Sequence, residues 1–357
     1  MPEDLLVARP EGLYCAAGNF HIDAWRPVER CVVTHAHADH ARRGHRYYLA
    51  HQDSAGTLRR RLGDITLQTL AYGQAIHING VRISLHPAGH VLGSAQVRVE
   101  HGGRIWVVSG DYKLELDATC VAFEPVRCDT FIAESTFGLP IYRWREPTAL
   151  FAQIDDWWRT NATAQMPSLL YCYAFGKAQR LLCGVDASIG PILVHGAIEP
   201  LNEVYRAAGV RLPGTQKVTD DSLDAGKLRT SLVLAPPSAA GTTWLRRFGL
   251  HADAFASGWM QLRGARRRRG VDRGFVVSDH ADWPGLNAAI DATGAQRVLV
   301  THGTSTPMVR WLRERGLQAA ELSTAYGRDG DGDDDDEGAA AVGIREAQPD
   351  DEDNRTA

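Results

Sequence analysis

The 357-residue sequence contains no apolar stretch near the roughly 20 residues that a membrane-spanning helix needs. Its first residues, Met1-Pro2-Glu3-Asp4, lack the basic and apolar segments of a secretory signal peptide. The six cysteines are scattered and include no Cys-x-x-Cys pair, so no disulfide framework is expected. We therefore predict a cytoplasmic protein with no membrane partner, in which the cysteines are small core residues.

Negative charge is concentrated at one end of the chain. Residues 329–357 hold twelve Asp or Glu and two Arg, a net charge of −10. The formal net charge of the whole chain is −4, which leaves +6 on residues 1–328. Few apolar residues lie in the Asp- and Gly-rich segment 328–357, so we predict a disordered acidic tail there. The basic remainder is compatible with a polyanionic substrate but does not identify one.

The densest set of metal-capable side chains lies in Thr34-His35-Ala36-His37-Ala38-Asp39-His40, directly after the apolar run Cys31-Val32-Val33. A tight loop that lets the first two histidines bind one ion can turn the Asp and the last His toward a second. This spacing therefore suggests two adjacent metal ions. Imidazole and carboxylate ligands suit zinc, with manganese or iron as competitors. The alternative is a His-rich surface loop, which would not need the distal ligands found further along the chain.

Similar candidates recur where other short apolar runs end. Asp111, Glu134 and His302 each follow such a run within a few residues. His90 lies between Gly89 and Gly93, which allow a tight loop that turns an imidazole inward. Strands buried on both faces are flanked by helices, and ligands collect at one edge of such sheets. The pattern predicts an α/β fold with these side chains gathered at one edge.

Between about residues 145 and 275, strands and helices alternate, which predicts a second α/β domain. Lys177 lies in the first turn of a helix after a glycine, a geometry that can seat a phosphate. The spacing of a nucleotide P-loop is absent. A basic run follows, consisting of Arg266, Arg267, Arg268 and Arg269. It is either a solvated face or a contact with a nucleic-acid backbone. His280 comes next, in what resembles a strand-to-helix turn.

Taken together, these residues resemble the metallo-β-lactamase fold, and specifically its β-CASP nuclease branch. The resemblance implies a metallo-β-lactamase αββα sandwich formed by residues 1–144 and 271–327. An inserted α/β domain of the β-CASP type would occupy residues 145–270, and the tail at 328–357 lies outside the resemblance. Helix formation is also expected from His40 onward, at the end of the His cluster.

The resemblance also implies a role for each candidate residue. His35, His37 and His90 would hold one divalent ion, and Asp39, His40 and His302 the other, with Asp111 bridging both. His280 would act as general acid and Glu134 would orient it, whereas Asp23 would brace a ligand histidine. Two zinc ions are expected, with manganese as the alternative. The second domain would form a groove in which Lys177 and the four arginines meet phosphates.

The substrate is the least determined part of the prediction. From Glu11 to Gly327 the chain resembles bacterial ligase-associated DNA exonucleases, a group linked with a DNA ligase and a helicase. The segments Gly12–Cys15, Phe137–Trp144 and Phe175–Gln179 carry this likeness. It implies an exonuclease for single-stranded or end-containing DNA in DNA repair.

Three alternatives remain. His302 is typical of RNA-processing members of the branch, which favours an RNA nuclease. A small-molecule hydrolase would leave the second domain and His280 without a role. A non-catalytic binding protein with a decayed site is opposed by the complete ligand set.

Overall fold

The structure is a computed structural model that describes residues 4–219 and 225–322. The predicted acidic tail at 328–357 lies outside these residues, as do the last five residues of the predicted return segment. Nineteen strands form three sheets within the described ranges. None of the helices in these ranges has the length and apolar character that crossing a membrane requires.

The first sheet has six strands and holds the start of the chain. Its strands are β1 (Val7–Arg9), β2 (Gly12–Cys15), β3 (Phe20–Ile22), β4 (Arg30–Val32), β5 (Tyr47–His51) and β6 (Leu67–Leu70). They lie side by side in chain order, antiparallel from β1 to β3 and parallel from β3 to β6. The end of β4 at Val32 brings the His cluster to one edge of this sheet.

The second sheet has seven strands. They are β7 (Ala75–Ile78), β8 (Val81–Pro87), β9 (Ala95–His101), β10 (Arg104–Val108), β11 (Thr130–Glu134), β18 (Arg297–Thr301) and β19 (Gln318–Glu321). The order across the sheet is β19-β18-β11-β10-β9-β8-β7, with β10, β11, β18 and β19 parallel. Because these parallel strands end at one edge, Asp111, Glu134 and His302 lie along that edge.

The third sheet is parallel throughout. It contains β12 (Ser168–Tyr171), β13 (Ile192–Val194), β14 (Gln216–Lys217), β15 (Leu232–Ala235), β16 (Ala252–Ala256) and β17 (Arg273–Phe275). Their order is β14-β13-β15-β12-β16-β17. A parallel sheet needs crossover connections, and helices provide them here. The sheet continues to Phe275, five residues beyond the predicted limit of the inserted domain at 270.

Eight α-helices complete the described fold. They are α1 (Ala55–Leu62), α2 (Pro147–Thr163), α3 (Lys177–Gly184), α4 (Glu199–Ala207), α5 (Ala225–Leu228), α6 (Arg263–Arg269), α7 (Trp283–Thr293) and α8 (Ser305–Glu314). The expected helix at His40 is wrong. Ala41 N donates to His37 O at 2.8 Å, which closes a turn, and the next helical segment is the 3₁₀ helix Gln52–Ser54, directly before α1. The donors of the cluster therefore sit on a turn that follows β4.

The way in which the three sheets and the helices pack into layers follows from which faces of the sheets are apolar. Ile22 and Val32 of the first sheet share one buried cluster with Ile83, Val97 and other residues of the second sheet, so these two sheets pack face to face. Helices α7 and α8 cover the opposite face of the second sheet. The outer face of the first sheet packs against the third sheet and its helices through a separate cluster. Hydrophobic burial thus places the start of α3 beside the His cluster.

The mixed α/β class predicted from the sequence is confirmed, whereas the predicted domain limits stay predictions. The six cysteines are all free thiols, as expected. Cys15, Cys31, Cys128 and Cys172 are buried, and Cys120 and Cys183 are partly exposed. Most of them therefore pack as small core residues, as the scattered spacing indicated.

Candidate metal centre

Asp23 shapes the turn that carries the histidines. It follows β3 with a positive φ of 45°, a conformation that Asp and Asn tolerate better than most residues. Its Oδ1 accepts a hydrogen bond from Thr34 N at 2.8 Å, and its Oδ2 accepts one from Thr34 Oγ1 at 2.6 Å. Thr34 O in turn accepts from Ala95 N on β9 at 2.8 Å. These bonds fix the start of the turn relative to both sheets.

Three histidine nitrogens converge on one oxygen of Asp111. The distances to Asp111 Oδ2 are 3.4 Å from His35 Nε2, 3.4 Å from His40 Nε2 and 3.8 Å from His90 Nε2. The Nε2 atoms of His35 and His40 are buried and have no hydrogen-bond partner. Buried polar atoms without partners are costly, so their convergence around a carboxylate fits a bound cation.

Four groups of donors are close enough to hold a metal ion, and two of them overlap in the His cluster. The first contains His35, His37, His90 and Asp111, and the second contains His35, Asp39 and His40. Within these groups His37 Nδ1 lies 3.0 Å from His90 Nε2, and Asp39 Oδ2 lies 3.3 Å from His40 Nε2. Imidazole nitrogens with carboxylate oxygens are a donor set that zinc and manganese accept. The residues therefore could hold metal ions.

The second nitrogen of several histidines is fixed by a hydrogen bond. His40 Nδ1 donates to Asp23 Oδ2 at 2.7 Å, and His90 Nδ1 donates to the carbonyl of Asp279 at 2.8 Å. His37 Nε2 lies 3.4 Å from the carbonyl of Phe175, which precedes α3. Such bonds set the tautomer and leave the other nitrogen free for a metal. Sequence reasoning missed Phe175 and the Asp279 carbonyl, because backbone acceptors leave no signal in residue type.

Glycine makes room for His90. Gly89 has a φ of +74° and Gly93 a φ of +73°, both in the left-handed region. A Cβ at Gly89 would overlap the carbonyl oxygen of Lys113. The two glycines that suggested a tight loop therefore do shape the backbone around this imidazole.

Electrostatics separate the imidazoles into two kinds. Burial keeps the pKa of His35 well below its usual value and lowers the pKa of His37 to about 3. Burial also lowers the pKa of His90. These rings are neutral at pH 7, as metal ligation requires. Burial opposes charge on His40 as well, but Asp39, Asp111 and Asp23 hold its pKa well above the usual range. Around His40 the carboxylates therefore favour a positive charge.

His280 and Glu134 form a buried pair beside Asp111. His280 Nδ1 lies 3.1 Å from Glu134 Oε1 and 3.0 Å from Glu134 Oε2. Tyr112 N donates to Glu134 Oε1 at 2.8 Å, which fixes the carboxylate. Burial would lower the pKa of His280, but Glu134 and Asp111 raise it to about 10. The Nδ1 proton is thus held by Glu134, and Nε2 is left for the site.

His302 approaches the cluster from β18. Its ring stacks on that of His40, with centroids 5.0 Å apart and an interplanar angle of 16°. His302 has a positive φ of 56°, and its carbonyl accepts a hydrogen bond from Ser135 Oγ at 2.5 Å. It lines a small cavity of about 50 Å³ together with Asp39 and His40. Among the described residues, the convergent donor groups do not include it.

Lys177 does not lie on an open surface, as a phosphate contact in a groove would require. It is 4% exposed, and its Nζ lies 3.3 Å from Asp279 Oδ1 and 4.4 Å from the centre of the Tyr173 ring. Burial would raise the pKa of Asp279, but Lys177 holds it well below its usual range. The predicted phosphate contact is therefore corrected: Lys177 forms a buried ion pair with the residue that precedes His280.

The four arginines occupy α6. Arg266, Arg267 and Arg268 are exposed, and Arg269 is partly buried with its guanidinium 4.6 Å from the centre of the Phe255 ring. The helix follows the 3₁₀ turn Gly258–Gln261 and precedes β17. Three of the four side chains are thus open to a solvent or ligand contact, and the nucleic-acid contact itself stays a prediction.

No protein-family model matches the chain. Among curated proteins, a probable DNA ligase of Opitutus terrae is 32% identical over 323 residues, which cover 89% of this chain. The endoribonuclease YSH1 of Eremothecium gossypii is 32% identical over 122 residues, or 34% of this chain. The cleavage and polyadenylation specificity factor subunit 3 of Dictyostelium discoideum is 28% identical over 124 residues. These relatives suggest a metallo-β-lactamase/β-CASP nuclease family.

The matched parts are small fractions of those relatives. The chain spans 31% of the length of the probable DNA ligase and 16% of the length of each of the other two. One solved structure, of a protein of unknown function from Enterococcus faecalis V583, matches with a TM-score of 0.56 at 11% sequence identity. It covers 84% of this chain and 80% of its own. That likeness concerns the fold alone.

Proposed function

We propose that the chain is a dinuclear-metal phosphodiesterase, a DNA exonuclease that acts on single-stranded or end-containing DNA in repair. The observation that carries the proposal is the convergence of His35, His40 and His90 on one oxygen of Asp111, beside the buried pair of Glu134 and His280. Two-metal sites with an adjacent proton donor suit phosphodiester hydrolysis. The long match to a probable DNA ligase favours DNA as the substrate.

Each ligand has a proposed place. His35, His37 and His90 would hold one ion, Asp39, His40 and His302 would hold the other, and Asp111 would serve as a ligand in the same centre. Zinc is the proposed metal, with manganese as the alternative. When bound, two such ions acidify a water molecule and neutralise charge that develops on the phosphoryl oxygens.

The other residues act on protons and orientation. His280 holds a proton at Nε2 and delivers it to the leaving oxygen, because Glu134 occupies its Nδ1 at 3.0 Å. Glu134 favours the charged form of His280, so this proton donor is protonated at neutral pH. Asp23 positions His40 through the 2.7 Å hydrogen bond to Nδ1.

The proposed architecture follows the family resemblance. The first two sheets with α7 and α8 form the metallo-β-lactamase αββα sandwich, and the body around the third sheet is the inserted β-CASP domain. Within the family, the chain belongs to the ligase-associated bacterial exonucleases, and it works with a DNA ligase and a helicase in the cytoplasm.

RNA cleavage is the second candidate function. His302 stacks on His40 within the site, and RNA-processing members of the family resemblance carry His at that position. Two relatives with RNA-processing names match about a third of the chain, 34% in each case, at 28–32% identity. An endo- or exonuclease for RNA is therefore the alternative to the DNA enzyme.

The test compares matched single-stranded DNA, single-stranded RNA and a thioester with the purified chain and added Zn²⁺ or Mn²⁺. End-labelled DNA should be shortened from its ends, whereas circular single-stranded DNA should persist. Loss of RNA alone would support the RNA nuclease instead. Intact nucleic acids with a cleaved thioester would overturn the proposal in favour of a small-molecule hydrolase.

The control for this test is Asp111→Ala. Because Asp111 Oδ2 is the point on which three imidazoles converge, its removal should abolish any genuine activity. Cleavage that persists in Asp111→Ala would indicate a contaminant or another site. If no substrate is cleaved while DNA is bound, the chain is a binding protein and the proposal fails.

A further inference from the structure

Four aromatic side chains form a cluster next to His280. Phe137 lies at its centre, with ring centroids 4.9 Å from Tyr142, 4.8 Å from Trp144 and 4.8 Å from Trp259. The centroid of Phe137 is 5.9 Å from that of His280. Nothing in the proposed chemistry uses these rings, although they adjoin the proposed proton donor.

The cluster has a buried half and an open half. Phe137 and Tyr142 are 3% and 1% exposed, whereas Trp144 and Trp259 are only partly buried. The open half of the cluster therefore consists of two partly exposed indole rings beside the candidate site.

The indoles are held in fixed positions relative to His280. Trp144 Nε1 donates to the carbonyl of His280 at 2.8 Å, and Trp144 N donates to Asp282 Oδ2 at 2.9 Å. Gly258, which precedes Trp259, lies so close to Phe137 that a Cβ there would overlap the ring. The close approach of glycine lets the turn after β16 place Trp259 against the aromatic cluster.

Positive charge flanks both indoles. Arg143 and Arg145 are exposed on either side of Trp144. Trp259 lies in the turn that leads into α6, where Arg263 and Arg266–Arg268 are exposed. Aromatic faces beside cationic side chains are the combination by which proteins hold single-stranded nucleic acid, with bases stacked and phosphates paired.

We propose that Trp144 and Trp259 form a stacking subsite for a nucleobase of a single DNA strand whose backbone passes His280. The subsite rests on the proposed function, since a nucleic-acid substrate supplies the base. Stacking is tolerant of base identity, because every base offers a π-face. The subsite thus holds the strand without selecting its sequence, and the flanking arginines meet its phosphates.

The test measures binding by the full-length, metal-free protein in EDTA, so that hydrolysis cannot interfere. Fluorescence anisotropy would compare labelled oligodeoxythymidine with an abasic oligonucleotide of equal phosphate number. Trp259→Ala should bind oligodeoxythymidine about tenfold more weakly and the abasic strand unchanged, as loss of one stacked base predicts. Trp259→Phe should restore most of the affinity.

Two further variants separate stacking from folding. Trp259→Leu retains apolar volume without a π-face, so it should lose affinity as Trp259→Ala does. Trp244→Ala is the matched control, because Trp244 is partly buried and packs on Phe248 and His195, away from the aromatic cluster. Trp244→Ala should bind both strands as the unmodified protein does.

The outcomes distinguish the subsite from the proposed function. Equal oligodeoxythymidine binding by Trp259→Leu and the unmodified protein would overturn the subsite, whether or not DNA is cleaved. An equal loss of affinity for the base-containing and abasic strands would also overturn it. A base-dependent loss together with no cleavage under any metal would support the subsite and overturn the nuclease.

Discussion

Replacing Asp23 with Asn tests whether this residue braces the metal centre. The carboxylate accepts three hydrogen bonds, from Thr34 N at 2.8 Å, Thr34 Oγ1 at 2.6 Å and His40 Nδ1 at 2.7 Å. Asn has the same shape and tolerates the positive φ of 45° at this position. The substitution therefore removes charge and one acceptor without adding backbone strain.

The magnitude follows from which bond is lost. In Asp23→Asn the amide oxygen can still accept from Thr34 N, which places the NH₂ group opposite His40 Nδ1. Two donors then face each other, and a charge-assisted hydrogen bond worth about 1.5–3 kcal/mol is lost. His40 is no longer fixed with Nε2 free toward Asp111, 3.4 Å away. Because about 1.4 kcal/mol is a tenfold change in affinity, one of two ions should bind 10- to 100-fold more weakly.

The assay is a competition titration of metal-free protein with Zn²⁺ against a chromophoric chelator, which resolves two binding steps. The first affinity should stay close to that of the unmodified protein, and the second should fall. Glu29→Gln is the control, since Glu29 is exposed and, within the described part of the chain, its side chain forms an ion pair with Arg46 at 3.2 Å. Two unchanged affinities in a folded Asp23→Asn protein would refute the bracing role.

Three further outcomes are expected. In metal-free protein, burial opposes charge on His280, but Glu134 and Asp111 raise its pKa to about 10. The ion pair of Glu134 with His280 therefore contributes its full stabilisation of the folded state below the ordinary histidine pKa of about 6.5. That contribution is lost as the pH rises toward about 10. Glu134→Gln should therefore lower the Tm more at pH 6 than at pH 10, and a pH-independent loss would contradict this. Gly303→Ala should cost about 2–4 kcal/mol of unfolding free energy in urea, since its φ is +61° and a Cβ would lie 2.5 Å from Thr136 Cα. Gly316 has a φ of +89° but open space around it, so Gly316→Ala should lose only the unfolding free energy that comes from backbone strain. Equal losses of unfolding free energy in Gly303→Ala and Gly316→Ala would refute the steric argument. Replacing Arg266, Arg267 and Arg268 with Gln should reduce the slope of log binding constant against log salt concentration for single-stranded DNA by about 2. The control variant, Arg310→Gln with Arg313→Gln on α8, should keep the slope of the unmodified protein. An unchanged slope in the α6 variant would show that these arginines form a solvated face and do not contact DNA.

The sequence determined the donors of the candidate site and their strand context. Four metal-capable residues within six positions need a short loop after a strand, and β4 does end at Val32 just before them. Glu134 ends a buried strand, and Asp111 and His302 follow two others; the three strands lie parallel in one sheet. Local spacing was sufficient here because parallel strands bring their carboxyl ends to a common edge.

Local pattern was insufficient where tertiary contacts decide. His40 to Arg43 has helical composition, but the hydrogen bonds of the turn and the pairing of His40 with Asp23 hold it outside a helix. Lys177 has the sequence context of a phosphate site, yet α3 packs against the His cluster and buries it beside Asp279. Propensity and motif describe a segment alone and do not include the surface against which it folds.

The sequence by itself therefore determined the α/β class, the free cysteines and the candidate donor residues, because each depends on residue identity and short-range spacing. Only the tertiary structure decided that His35, His40 and His90 meet at one oxygen of Asp111, and that carbonyls of Phe175 and Asp279 orient their neighbours. It also decided that Trp144 and Trp259, 115 positions apart, lie on one aromatic cluster beside His280. The physical reason is that the sheets are joined by hydrophobic burial, which is non-directional. Which polar residues become neighbours across the sheets therefore depends on how the sheets pack, and no local sequence pattern encodes that.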